Sequence, residues 1–406
     1  MNQQIDVLST RVAVTQPDAG QRRLSRLKAR RKLWLKVHLY LGLSVGLILL
    51  VIGMTGSILT FWLEIDRWLN PGLMIVDVPQ GAAIFRSMAE IVAAANTALP
   101  ATAEFSYAYP PHQPDQAYYF FYDLPTGDAD KRHSMNVFVN PYTADVIGTR
   151  VFYHASNLLD YCLIGVIFKL HYALLAGETG MLIDGILGVI FFISILTGLI
   201  LWWPLTGKWW QALTIKRRAS TERFNYDLHK TVGFYSALVL LAVFLSGISM
   251  NLSEQFNWLV ERFSPVNVVS DYKTQPRYDQ SVVTVDQAWQ GVEKLYPNGY
   301  LYLFSVPNSD TGVYVFNIIG PLGGGFHGRW KVLVDRYGEV LHTFDPLSGT
   351  GGNVFMQWMW PLHSGQALGM AGRILVLLSG IVCVVLFITG VTRWLQKQRA
   401  KKAFKH

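Results

Sequence analysis

Four stretches of the chain lack any Asp, Glu, Lys or Arg for long enough to cross a bilayer: Val37–Leu63, Gly185–Gly207, Thr231–Ser253 and Ile374–Thr392. About 20 apolar residues suffice for a helical span, so the pattern predicts four transmembrane helices. Between the first and second, and again between the third and fourth, the pattern changes. A helical period over Gly81–Leu99 is followed by strand-like runs at Glu104–Tyr109, Ala117–Tyr122 and Met135–Gly148. The second interval repeats this order, with a helix at Val285–Tyr296 and runs at Gly299–Val306, Gly312–Ile319 and Arg329–Phe344. Alternating apolar positions broken by turn residues such as Pro297-Asn298-Gly299 support the strands.

Composition fits this layout. Of 406 residues, 51% are hydrophobic and 15% charged, against about a quarter charged in ordinary soluble proteins. With 13 Trp, 19 Tyr and 22 Phe, disordered, fibrous and disulfide-stapled secreted chains are excluded. The net charge of +8 raises nucleic acid as a partner, but the basic residues are placed by topology. They precede the first span (Arg22, Arg23, Arg26, Lys28, Arg30, Arg31, Lys32, Lys36), separate the second from the third (Lys208, Lys216, Arg217, Arg218, Arg223, Lys230) and follow the fourth (Arg393, Lys397, Arg399, Lys401, Lys402, Lys405). The positive-inside rule makes these flanks cytoplasmic, with both termini inside. The expectation is a lipid bilayer as partner and no nucleic acid. The first span is too long for a signal-peptide core and reads as an uncleaved anchor.

The chain is duplicated. His38-Leu-Tyr-Leu-Gly42 returns as His229-Lys-Thr-Val-Gly233 and Gly56 as Gly247; Leu170-His171 returns as Leu362-His363, Gly177 as Gly369, Thr197-Gly198 as Thr389-Gly390 and Trp202 as Trp394. Each half is then helix, external domain, helix, and the halves run parallel. The expected divisions are a basic cytoplasmic segment 1–36, a first span 37–63, an external domain 64–155, an amphipathic segment with the second span 156–207, a cytoplasmic loop 208–230, a third span 231–253, a second external domain 254–355, a fourth span with its preceding segment 356–394, and a basic tail 395–406.

The histidines carry the candidate chemistry. His38 and His229 open spans one and three on the inner side; His171 and His363 precede spans two and four on the outer side. Histidine beside a membrane span is costly and usually functional. Taken singly, each reads as readily as an interfacial residue or helix-capping donor as it does as a functional one. In register across a repeat they form two layers of two, and two imidazoles facing each other suit a six-coordinate b-type haem. A non-haem metal site has no Asp or Glu one helical turn away, and a proton relay is a weaker reading still. Gly42, Gly46, Gly233, Gly177 and Gly369 would admit a porphyrin plane, although close helix packing needs such glycines as well. His112, His133, His154, His327 and His342 read as surface or structural residues, with His154 the strongest exception. Cys162 and Cys383 read as small buried residues, and no CxxC or CxxCH occurs. A straight helix from His171 to Trp202 would be roughly 46 Å long, which sets the layers far apart unless the chain breaks near Gly177–Gly180, the spans tilt, or the ligands lie deeper than the charges suggest.

These paired Leu-His…Gly and Thr-Gly…Trp segments around helix-plus-strand external domains resemble the PepSY-associated transmembrane proteins over about Leu33–Trp394, and within them the inner-membrane ferric-siderophore reductases. The resemblance implies a membrane all-α four-helix core, built by internal parallel duplication, with two small α+β PepSY-like periplasmic domains. It implies two haem b groups with His38 paired to His229 and His171 paired to His363 as axial ligands of the haem iron, no catalytic acid or base, and a ferric siderophore as substrate. It implies a location in the bacterial inner membrane. No Rossmann-type glycine motif occurs on the cytoplasmic side, so the electron donor is expected to be a cytoplasmic protein or a membrane quinol. Candidate docking surfaces are the aromatic runs Tyr107, Tyr109 and Tyr118–Tyr122 and the loop Gly320–Gly325, which otherwise read as packing strands and a hairpin. Competing readings are a non-enzymatic sensor or binding module and a haem-handling protein.

Overall fold

The computed structural model describes residues 19–81, 84–125, 132–154, 161–205, 207–216 and 218–403. Residues 1–18 of the basic N-terminal segment, residues 155–160 of the amphipathic stretch, Arg217 and Lys405 lie outside them. Among the described residues, four helical segments are long and apolar enough to cross a membrane: Ala29–Leu59, Gly177–Trp202, Thr221–Asn251 and Gln366–Ala403.

The first half runs α1 (Ala19–Leu59), α2 (Trp62–Leu69), α3 (Pro71–Met74), α4 (Met88–Thr97), β1 (Glu104–Tyr109), β2 (Tyr118–Pro125), β3 (Arg132–Val139), β4 (Val146–Tyr153), α5 (Leu163–Ala173), α6 (Gly177–Trp202) and α7 (Trp209–Leu213). The second runs α8 (Thr221–Asn251), α9 (Ser253–Glu261), α10 (Val285–Glu293), β5 (Tyr300–Ser305), β6 (Tyr314–Gly323), β7 (Phe326–Val334), β8 (Val340–Phe344), α11 (Gly351–Ser364) and α12 (Gly369–Ala403). Each half thus contributes four strands rather than three. The runs expected at Met135–Gly148 and Arg329–Phe344 are hairpins, turned where Ala144 (φ 62°) and Gly338 (φ 90°) adopt left-handed backbone.

The strands of the two halves join in one antiparallel sheet, ordered β4-β3-β2-β1-β5-β6-β7-β8, with Ala108 opposite Phe304 at the seam. The external parts therefore share a sheet instead of forming two separate small domains. Alternation along β2 sends Tyr118, Phe120 and Tyr122 to one face and Tyr119 and Phe121 to the other. The first face packs under α4 and α10. These helices are tied together, since Asp286 of α10 accepts from the backbone amides of Met88 (2.7 Å) and Ala89 (2.9 Å) at the start of α4, where a carboxylate favours the helix dipole. The second face meets Trp62, Met74 and Ile164 on the bundle side. The aromatic runs offered as docking surfaces are core: Tyr119, Phe120, Phe121 and Tyr122 are all buried.

In the bundle α1 packs on α12 and α6, and α8 on α6 and α12. Small residues set the closest approach: a Cβ on Gly380 would lie 2.0 Å from the Gly53 carbonyl, and Ser57 donates to Leu377 O at 2.7 Å. Between the sheet and α2 lies a buried ion pair. Arg150 Nη1 donates to Asp66 Oδ1 at 2.8 Å, and Tyr119 and Asn136 complete the network. Removing one partner of such a pair leaves a buried charge and typically costs about 3–5 kcal/mol. Asp66→Ala should lower the chemical-denaturation stability by about that amount, whereas Asp66→Leu with Arg150→Met should restore most of it. A single-variant loss below about 0.5 kcal/mol would contradict the assignment.

Candidate metal centres

The four repeated histidines meet as two pairs. His38 of α1 faces His229 of α8 with ring centroids 6.2 Å apart, and His171 of α5 faces His363 of α11 at 6.0 Å. One bend places the second pair. After α5 the backbone turns through Leu174 (φ 49°), Leu175 (φ 58°) and Gly177 (φ 60°), and after α11 through Gly365 (φ 78°) and Gly369 (φ 57°). Left-handed backbone costs a non-glycine residue roughly 1–2 kcal/mol, so the leucines are held there by their surroundings. The turns set each short helix against the start of the following span. A Cβ on Gly180 would fall 1.8 Å from Ala173 O, and one on Gly372 2.0 Å from Gly365 O. The break expected near Gly177–Gly180 is therefore present. His171 hangs beside Ile52 and Thr55 of α1, fourteen residues along that helix from His38. The two layers are roughly 21 Å apart along α1, less than half the straight-rod distance.

Each imidazole is seated in the same way. His171 Nδ1 bonds Ile52 O (3.0 Å) and Thr55 Oγ1 (3.2 Å), with Gly56 next in sequence. His363 Nδ1 bonds Val243 O (3.1 Å) and Ser246 Oγ (3.2 Å), followed by Gly247. His38 Nδ1 bonds Ser194 O (3.0 Å) and Thr197 Oγ1 (3.1 Å), followed by Gly198. His229 Nδ1 bonds Thr389 Oγ1 (2.9 Å) and the Leu386 carbonyl, with Gly390 next. A carbonyl only accepts, so the proton sits on Nδ1 and each Nε2 keeps its lone pair. The hydroxyl and the carbonyl three residues before it form one acceptor, and the glycine after it makes room for the ring. A Cβ would lie 2.9 Å from His171 Cε1 at Gly56, 3.3 Å from His363 Cε1 at Gly247, 3.2 Å from His38 Cε1 at Gly198 and 3.4 Å from His229 Cε1 at Gly390.

Two imidazoles bound to one metal through nitrogens at about 2 Å have ring centroids about 6 Å apart, the separation seen in both layers. The residues therefore fit a six-coordinate metal held by two neutral Nε2 donors, with second-shell bonds that fix tautomer and ring angle. Beside the second pair lies a cavity of 1460 Å³, walled by residues such as Ile52, Leu240, Val243 and Val376 in the bundle and continuing under the sheet. The mostly apolar slot would also suit a flat macrocycle around such a metal.

The glycines that seat the imidazoles are a different set from those expected to admit a porphyrin plane. Gly42 and Gly177 face open space, Gly46 faces Phe387, Gly233 faces Leu386 and Gly369 faces His327. The glycines beneath the imidazoles are Gly56, Gly198, Gly247 and Gly390. The signal was the hydroxyl residue before each, visible in the Thr197-Gly198/Thr389-Gly390 repeat. Among the other histidines, His112 and His327 line the cavity, His133 and His154 lie together with centroids 3.7 Å apart, and His342 stacks on Tyr272. Cys162 caps α5 by accepting from Gly165 N, and Cys383 is buried against Gly53. Asp184 went unnoticed in the sequence: it lines the cavity, accepts from Asn251 at 2.7 Å and has a second, unpartnered buried oxygen.

Filling the seat should be costly where it is tight and harmless where it is open. Gly56→Ala should destabilise the protein by about 1–3 kcal/mol through overpacking against His171. Gly42→Ala should be neutral or stabilising, with thermal unfolding in detergent as the readout. Equal effects would contradict the packing described.

No curated protein shows significant similarity to the chain. The family comparison is decisive: the chain matches the PepSY-associated TM region over residues 35–397, a span that contains both histidine pairs, and it belongs to that family.

Proposed function

We propose that this chain is a di-haem, b-type electron-transfer protein of the bacterial inner membrane that reduces ferric siderophores on the sheet side. The observation that carries the reading is the recurrence of one imidazole seat four times, paired into two layers at 6.2 and 6.0 Å. His38 with His229 would hold one haem and His171 with His363 the other. When bound, haem supplies a one-electron Fe(III)/Fe(II) couple.

The protein's part is to place and tune. The Nδ1–H bonds to Ile52, Val243, Ser194 and Leu386 carbonyls keep Nε2 as the donor atom and raise its basicity. The apolar walls exclude water and lower the local dielectric. The basic residues that flank the bundle away from the sheet, among them Arg30, Arg31, Lys32, Lys216, Arg223 and Lys397, support an orientation with both termini cytoplasmic. The sheet then lies in the periplasm. Electrons would enter from a cytoplasmic protein or a membrane quinol and leave to the substrate iron. A siderophore's hard oxygen donors hold Fe(III) far more tightly than Fe(II), so one electron per iron releases it.

The detergent-purified protein from haem-replete cells should give a b-type dithionite-reduced spectrum and a pyridine haemochrome value near two haems per chain. A ferric hydroxamate should reoxidise it, with one Fe(II) trapped per electron lost. Thr389→Val should weaken haem retention about 10–100-fold, as loss of an outer-shell partner does, while Thr389→Ser should restore it. A colourless protein, or reduced haem indifferent to ferric chelates, would contradict the reading and favour a sensor or binding module.

A further inference from the structure

The two halves of the sheet share a frame and differ in charge. In the first half the buried cation Arg150 is answered by Asp66. The residue 191 positions after Asp66, the offset of the repeat, is Asn257 on α9, whose Oδ1 is buried without a partner. The second half has no acid at that position, and it carries two largely enclosed cations of its own on β7. Arg329 and Lys331 stand two residues apart on β7 and so share a face, on a strand that packs against α11. Arg329 bonds the neutral Asn317 through Nε (3.0 Å) and Nη2 (2.7 Å) and lies over the rings of Trp360 (5.4 Å) and Tyr302 (6.0 Å). Lys331 lies over the Phe344 ring at 5.7 Å. Neither forms an ion pair among the described residues. Burial, reinforced by the Arg329 charge, pushes the Lys331 ammonium down to about 8, and burial pulls Arg329 down as well. A buried cation without a counter-charge is unfavourable, and its retention calls for an anion.

The cavity beside His171 and His363 reaches the rings over which Arg329 lies, with Lys331 standing behind Arg329 on the same strand face. Trp360, Tyr302, His327 and Gln366 line it, and besides Asp184 Oδ1 on α6 three buried polar atoms of its lining have no partner, all from the second half: Trp360 Nε1, His327 Nδ1 and Gln366 Oε1. An indole N–H can only donate, His327 can donate from Nδ1, and the Gln366 amide can turn its NH₂ into the cavity while its oxygen accepts from Tyr302 Oη, now 3.4 Å from Nε2. Three donors backed by two uncompensated cations suit a group with two adjacent acceptor oxygens and one negative charge.

We propose that Trp360, His327 and Gln366, backed by Arg329 and Lys331, form a carboxylate-binding site at the sheet end of the cavity. Two guests carry that group. One is a propionate of a haem on His171 and His363, a source that rests on the function proposed above. The other is a carboxylate of an iron chelate in the chamber. The site belongs to the second half, where Asn257 stands at the position of Asp66 and supplies no counter-charge.

The test uses the full-length purified protein, wild type against Lys331→Met and Trp360→Phe. Lys331→Met removes a desolvated charge and should fold at least as stably as the wild type, so lost binding is not confused with lost structure. Three measurements are made: the midpoint potential of each haem, reoxidation of the reduced protein by ferric citrate and by a neutral ferric trihydroxamate, and the thermal shift given by citrate to haem-free protein. A propionate guest is shown by a lowered potential of one haem only, abolished when the protein is reconstituted with haem dimethyl ester. A chelate guest is shown by unchanged potentials, an affinity for ferric citrate about tenfold weaker and an unchanged response to the trihydroxamate. Folded variants with wild-type potentials, wild-type citrate affinity and a wild-type citrate shift would overturn the site. A protein that never carries haem would overturn the di-haem function instead, and the citrate shift, expected for wild type and absent from both variants, would then decide the site by itself.

Discussion

The bond from each histidine Nδ1–H to a carbonyl of a neighbouring span is the constraint on which the rest of the bundle depends. It fixes the tautomer, so the opposite nitrogen is a lone-pair donor. It fixes which helices must be adjacent, because α1 receives His171 and α6 receives His38, while α8 receives His363 and α12 receives His229. It also fixes where glycine must stand, since the ring occupies the space of a side chain on the receiving helix. Each half supplies imidazoles to one end of the bundle through a long span and to the other through a short helix turned back on itself. Both layers are completed only when the halves come together.

Much of this was legible in the sequence because duplication reports twice. Four charge-free stretches gave four apolar helices, and the pairing of His38 with His229 and of His171 with His363 followed from their offsets. What remained hidden depends on contacts between distant residues. The turn at Leu174–Gly177 uses leucines in left-handed backbone, which no local propensity announces. The join of β1 to β5 turns two expected domains into one sheet and leaves no sign in either half. The serving glycines were visible as repeats, but their purpose depends on a ring arriving from another helix. The extra hairpins were missed because Met135–Gly148 and Arg329–Phe344 keep apolar residues on both sides of short polar turns.

The halves are equal in backbone and unequal in chemistry. The first has a closed electrostatic network around Asp66 and Arg150, which stiffens the joint between α2 and the sheet. The second has Asn257 in place of the acid, carries Arg329 and Lys331 on β7, and turns unpartnered polar atoms toward a cavity. A duplicated frame would let one copy provide rigidity while the other provides the proposed binding, and the difference amounts to a few side chains on α9, β7 and α11.

The most direct test of the two-layer arrangement is single substitution within one layer, read by the reduced-minus-oxidised spectrum and haem stoichiometry of the folded protein. His171→Ala and His363→Ala should each remove the same single haem and leave the spectrum of the other unchanged. Loss of both haems from either change, or loss of a different haem from each, would contradict the pairing of His171 with His363.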